Sequence, residues 1–330
     1  MKSRPLIATF AALTIAPLAF SQNPVAIGTD YKQPAPLLVA PGQVVTVEVN
    51  AGNLSGPPVQ AARLPLSGSL AGLQAGASVI GTTTVPSPLA VPILSVFPIQ
   101  LAAYGTLGVT PQGPTVNAVT VQIPYELTPP LGAATSQSRV LLGITDNPQA
   151  GFGPAISLVL QSDAVHILRL GDTVVSPVDA KGGYGVVATF QPPVVTHADG
   201  SVVAMNNPAR AGETIVIWAV GLGLPSSGTV KTGEANPSPA LTTTVYVDFD
   251  FRSNAGPSMP SATNTGGSRV PAKPVTAYFA PGFVGLYQIN VTLPTPPVPL
   301  EACGGVYQSN LTINIGGSAS FDGAGICTSQ

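Results

Sequence analysis

The sequence predicts an all-β protein made of tandem antiparallel β-sandwiches, and three observations carry that expectation. Short runs of β-branched and aromatic residues alternate with a period of two. Turn signals such as Pro41-Gly42, Asn206-Asn207-Pro208, Pro281-Gly282 and Gly316-Gly317 recur between the runs. No segment joins a helical period to helix caps. Composition agrees with this reading. Charged residues are 8% of the chain, against about 25% in an average soluble protein, so Ser, Thr, Asn and Gln must keep the surface wet. Gly and Pro number 36 each, and the aliphatic content is too high for disorder.

The chain opens with MKSRPLIATFAALTIAPLAFSQ. Lys2 and Arg4 form a basic start, Leu6 to Leu18 an apolar run, and Ala19-Phe20-Ser21 a small-x-small cleavage site. This pattern predicts a secretory signal peptide over residues 1–21, too short in its apolar part to span a bilayer comfortably. Cleavage leaves ten basic against fourteen acidic residues, a formal charge of −4. Without clustered Lys and Arg there is no basis for a nucleic-acid partner. No later apolar run is long enough to span, so the mature chain is not expected to cross a membrane.

Two stretches repeat one plan. APGQVVTVEVNAGNL from Ala40 and RAGETIVIWAVGLGL from Arg210 each run from a glycine turn into an alternating strand. AVTVQIPYEL from Ala118 and LYQINVTLP from Leu286 each end a strand at proline, which cannot donate to a ladder. A pair of strands follows in each half, from Arg139 and from Ser309. In the first copy Val45, Val47 and Val49 share one face. In TVYVDFDFR, Val245, Val247, Phe249 and Phe251 share one face, and Tyr246, Asp248, Asp250 and Arg252 share the other. Around Ile215 and Trp218 both faces are apolar, which predicts a strand covered on both sides. In APGFVGLYQINVTLP, Tyr287, Ile289, Val291 and Leu293 are expected to face the core.

The segment from about Thr196 to the end carries Asp199-Gly200-Ser201, Asn207-Pro208-Ala209, Gly221-Leu222-Gly223 and the long motif Ala280 to Pro294. In these it resembles the uncharacterised Ig-like C-terminal domain family of exported Acidobacteria (Solibacter-type) proteins. The resemblance implies an Ig-like exported β-sandwich without assigned catalytic residues. The first half follows the plan more loosely, lacks the GLYQ signature and carries an insertion near Tyr104 to Thr115. The expected organisation is therefore a signal peptide (1–21), an N-terminal β-sandwich (22–170), a linker or hairpin region (171–195) and a C-terminal Ig-like domain (196–330).

Groups able to do chemistry are sparse. Cys303 and Cys327, an even count in an exported chain, predict a disulfide. His197 and Asp199 could share a strand face and hold a metal or a base, but Asp199 before Gly200 reads more simply as an Asx turn. His166 reads as a half-buried strand residue. Asp248 and Asp250 could serve a glycosidase or bind calcium, but Arg252 continues their row and favours a solvated strand face. The sequons at Asn53, Asn290 and Asn310 carry no weight in a bacterial chain. Tyr31, Tyr104, Tyr125 and Tyr184 lie in or near loops and are the candidate ligand contacts. The expectation is an exported, non-catalytic structural or adhesive protein of the cell surface or secreted fraction, with no cofactor or metal. Its partner would be a polysaccharide or a surface protein. The alternatives are a carbohydrate-binding module and a secreted hydrolase using Asp248 and Asp250.

Overall fold

The computed structural model describes residues 25–27, 33–34, 37–79, 88–102, 112–127, 139–150, 155–169, 192–255, 266–317 and 320–329. The expected signal peptide and most of the expected linker lie outside them. The described residues are all-β, with a 3-10 turn at Pro148–Ala150 and no α-helix.

The first strands are β1 (Val25–Ile27), β2 (Gln33–Pro34), β3 (Leu37–Val39), β4 (Val44–Val49), β5 (Val59–Gln60) and β6 (Ser69–Leu70). Next come β7 (Leu73–Val79), β8 (Leu89–Ala90), β9 (Ile93–Ala102), β10 (Gln112–Gln122), β11 (Arg139–Thr145) and β12 (Ile156–Leu160). They make two sheets. One has the order β2-β1-β4-β10-β9-β5; the other has β3-β12-β11-β7-β6, with β8 beside β7. Val47, Val119 and Val121 of the first sheet meet Leu73, Leu142 and Leu158 of the second in one apolar core. This is the layering of a β-sandwich. Each such side chain contributes about 1.5–3 kcal/mol by leaving water.

The remaining strands are β13 (His166–Ile167), β14 (Val195–His197), β15 (Ala209–Arg210), β16 (Thr214–Val220) and β17 (Thr242–Asp250). They continue through β18 (Arg269–Phe279), β19 (Tyr287–Thr292), β20 (Leu311–Gly316), β21 (Phe321–Ile326) and β22 (Thr328–Ser329). One sheet has the order β13-β16-β19-β18-β17-β20-β21, with β14 also on β16, while β15 and β22 pair separately. The sheet curls around a core that includes Ile217, Val247, Phe279, Ile289 and Ile313. Tyr287, Ile289, Val291 and Leu293 all face this core, as their alternation predicts.

β13 falls within the expected N-terminal stretch 22–170 but pairs with β16 at His166↔Val220 and Ile167↔Ala219, so by backbone pairing it joins the second sheet system. Sequence continuity placed it with the first half; backbone pairing places it with the second.

The two halves pack on one another. Val44, Leu66 and Leu94 of the first half form a cluster with Leu168, Val220, Ala280, Val284 and Leu286, against which Trp218 and Phe283 rest. Strand β16 is thus covered on both faces, with Ile215 and Ile217 in the second core and Val220 in this junction. Polar bonds reinforce the seam. Gln43 Nε2 donates to Ala164 O (3.1 Å), Gly233 N to Gln122 Oε1 (2.7 Å), and Leu66 N to Gly233 O (2.7 Å). The turn before β19 approaches so closely that a Cβ at Gly285 would lie 2.4 Å from Gly42 O. Asn236 holds this turn by donating from Nδ2 to Ala280 O (3.1 Å) and Leu286 O (2.8 Å).

Candidate functional site

The acid pair on β17 is not a solvated row. Asp248 and Asp250 are both 0% exposed. Arg269, itself buried, pairs with Asp248. Arg252 Nε donates to both oxygens of Asp250 at 3.0 Å, and Ser268 Oγ to its Oδ1 at 3.0 Å. Burial pushes the Asp248 carboxyl above its ordinary value, against the pull of Asn314 and Arg269. Burial also opposes ionisation of Asp250, but the bonds from Arg252 and Ser268 prevail and hold its carboxyl low. Alternation along the strand identified their shared face correctly. It could not reveal that tertiary packing covers that face at the two acids while leaving Tyr246 and Arg252 exposed, or that Arg269 arrives from β18. Neither carboxylate is open to a substrate.

His166 is likewise fully buried rather than half-buried. Its Nδ1 lies 3.2 Å from Asp322 Oδ2, the oxygen that also accepts from Ile167 N at 2.9 Å. Arg169 Nη2 lies 3.8 Å from Asp322 Oδ1 and donates to Gly323 O at 2.9 Å. Val165 N donates to Ser320 Oγ at 3.0 Å. Asp322 thus ties β13 to β21, the two ends of the curled sheet. Burial opposes its ionisation, but the hydrogen bond and charge of His166 and the charge of Arg169 outweigh this and lower its pKa. The sequence signal for Asp322 was a lone acid among small residues in SASFDGAGI.

Asp199 makes the expected Asx turn: its Oδ1 accepts from Ser201 N (2.9 Å) and Ser201 Oγ (2.7 Å). The serine bonds hold its carboxyl below its ordinary value. His197 turns instead to Glu213, with Nδ1 2.9 Å from Oε1, while its Nε2 lies 3.2 Å from Asn207 O. Glu213, from the turn before β16, was not singled out in the sequence. Among the described residues, no group of three or more His, Cys, Asp and Glu side chains could hold a metal.

Of the four candidate tyrosines, Tyr31, Tyr104 and Tyr184 lie outside the described residues. Tyr125 is 7% exposed and belongs to the core of the second half, so its ring is not offered to a ligand at the surface. Its position after Pro124 marks a turn, as read, but that turn points inward at the junction. Tyr125 N donates to Thr232 Oγ1 at 2.9 Å across the seam.

An open cleft of about 320 Å³ lies elsewhere, at the end of β17. Phe251, Arg252 and Ser253 line one side; Pro299, Glu301 and Tyr307 line the other. Tyr307 is 39% exposed, and the Arg252 side chain is 62% exposed. The disulfide Cys303–Cys327, with Cα atoms 5.5 Å apart, pins the loop that carries Glu301 and Tyr307. Ser253 Oγ donates to Glu301 Oε2 at 2.8 Å. Asn254 adopts φ +51°, a left-handed conformation that asparagine tolerates better than most residues. From there its Oδ1 accepts from Gln308 N (2.8 Å) and Ser309 N (3.3 Å). Asn310, a sequon asparagine, is buried and donates to Glu301 O (2.9 Å) and Thr328 O (2.8 Å). Sequence reading found the disulfide but not this cleft, because its two walls are about 50 residues apart and Tyr307 follows no motif.

Among the described residues, no helix is long and apolar enough to cross a membrane. Compared with known protein families, curated proteins and solved structures, the chain matches none.

Proposed function

We propose that the chain is an exported, non-catalytic structural or adhesive protein of the cell surface or secreted fraction. In this reading it consists of two tandem Ig-like modules, the second of the Solibacter-type family. The observation that carries the reading is the use made of its buried carboxylates. Asp248 pairs with Arg269 of the neighbouring strand and Asp322 with His166 and Arg169 across the sheet ends, while Asp250 is held by Arg252 and by Ser268 from beside β18, so all three carboxylates tie the scaffold instead of meeting a substrate. The GLG loop and the APGFVGL turn, two motifs of the resemblance, contribute Leu222 to the second core and Ala280, Val284 and Leu286 to the junction. The APGFVGL turn thus serves packing of one module on the other, as a spacing element requires. The disulfide suits an oxidising compartment outside the cytoplasm.

The test is a sedimentation assay of the purified chain with cell envelopes of the source bacterium and, in parallel, with insoluble polysaccharides. Retention on envelopes is the expected result. A catalytic activity abolished by Asp248→Asn with Asp250→Asn, in a variant that keeps its melting temperature, would overturn the reading.

A further inference from the structure

We infer that the cleft between Arg252 and Tyr307 is a binding site for a neutral saccharide. A pyranose ring presents an apolar C–H face and a rim of hydroxyls, each both donor and acceptor. The cleft presents the counterpart of each. Tyr307 supplies a partly exposed aromatic face. Val298 and Pro299 supply apolar wall. Arg252 is a donor only, Glu301 an acceptor only, and Ser253 both, so adjacent hydroxyls find a donor and an acceptor side by side.

Charge narrows the ligand class. Arg252 is already neutralised by Asp250 at its back, and Glu301 adds a negative charge at the opposite wall. Such a site disfavours phosphate, sulfate and uronate groups and favours an uncharged sugar. The volume of about 320 Å³ sits at the small end of ligand sites, roughly 300–1,000 Å³.

The site is also held rigid, which cuts the ordering cost of binding. Ser253 fixes Glu301, Asp250 fixes Arg252, and Asn254 with the disulfide fixes the loop that carries Tyr307. Tyr307 is 39% exposed and stands next to Val306, which is 86% exposed, so this part of the loop is open to solvent. This inference goes beyond the adhesive reading and stands apart from it, because a saccharide site works whether or not the chain is held at a surface.

The experiment is calorimetric titration of the purified chain with cellohexaose, xylohexaose, mannohexaose, laminarihexaose and chitohexaose. Saturable binding of at least one is expected. Tyr307→Ala is expected to weaken it by about tenfold or more, the loss of one aromatic stacking contact, while Tyr307→Phe stays within about twofold. Glu301→Gln is expected to weaken binding through the lost carboxylate acceptor, and Val306→Ser, outside the cleft wall, to leave it unchanged. Should Tyr307→Ala fail to fold, the contrast between Glu301→Gln and Val306→Ser decides. Binding of none of the five oligosaccharides would overturn the inference. So would binding that neither Tyr307→Ala nor Glu301→Gln alters. Envelope retention without oligosaccharide binding would overturn this site and leave the adhesive reading standing.

Discussion

In the first half, Gly42 N donates to Ile123 O and Ile123 N to Gln43 O, both at 2.8 Å; in the second, Gly212 N and Leu293 N repeat the same two bonds with Leu293 O and Glu213 O at the same length. Each set opens an antiparallel strand pair, β4 with β10 and β16 with β19. From this shared motif the halves part. The first closes by laying a second sheet over the first and filling the gap with aliphatic side chains. The second keeps one sheet, curls it, and joins its ends through Asp322. A common local motif thus leaves closure undetermined. Both halves have an apolar core, but the first closes by layering over many contacts, whereas the second adds a stitch of a few charged groups where its sheet ends meet.

The largest expected effect tests that contrast. Asp322→Ala leaves His166 and Arg169 with a lost partner in a buried site, a change that costs about 3–5 kcal/mol. Hydrogen exchange should show protection lost first at β13 and β21 and retained in β4, β10 and β11. Because the folded pKa of Asp322 is lowered from 3.8, its contribution is present above that value and fades as pH falls below it. Urea midpoints measured down the acid limb should therefore fall for the native chain and change less for Asp322→Asn.

Next is the disulfide, which closes a loop with a sequence separation of 24 in the second half only. Replacing both cysteines by serine should cost about 3 kcal/mol on the loop-entropy model. Mass spectrometry with an alkylating agent should add no label to the native chain without reductant.

The shared turn offers a direct comparison between the halves. Gly42 (φ +77°) and Gly212 (φ +85°) hold equivalent positions, but a Cβ at Gly42 would lie 1.9 Å from the Tyr125 ring, while one at Gly212 meets nothing within 4 Å. Gly212→Ala should cost only the left-handed strain, about 1–2 kcal/mol. Gly42→Ala should cost about 1–3 kcal/mol more, because a packed ring must move. Thermal melts of the two variants decide this, and equal losses would refute it.

The smallest effect is expected at Tyr125. Burial pushes its hydroxyl well above its ordinary pKa, against a smaller pull from Gln122. Tyr125→Phe keeps the packing against Gly42 and should change stability by less than about 1 kcal/mol. Tyr287→Phe should cost more, since the Tyr287 hydroxyl donates to the buried Gly223 carbonyl. Urea unfolding of the two variants side by side measures the difference.

Much of the scaffold was legible in the sequence because strand alternation, turn glycines and strand-ending prolines are local properties. The all-β class, the core faces of β17 and β19, the doubly covered β16, the Asx turn at Asp199 and the cysteine pair could all be read this way. Only the tertiary structure decided which polar groups were buried and what they met. Asp248 met Arg269 across a strand pair, His166 met Asp322 156 residues away, Tyr125 turned into the opposite half's core, and Tyr307 came to face Arg252. A period of two tells which side of a strand a residue occupies. Whether that side faces water depends on what the rest of the chain lays over it, and no local pattern carries that information.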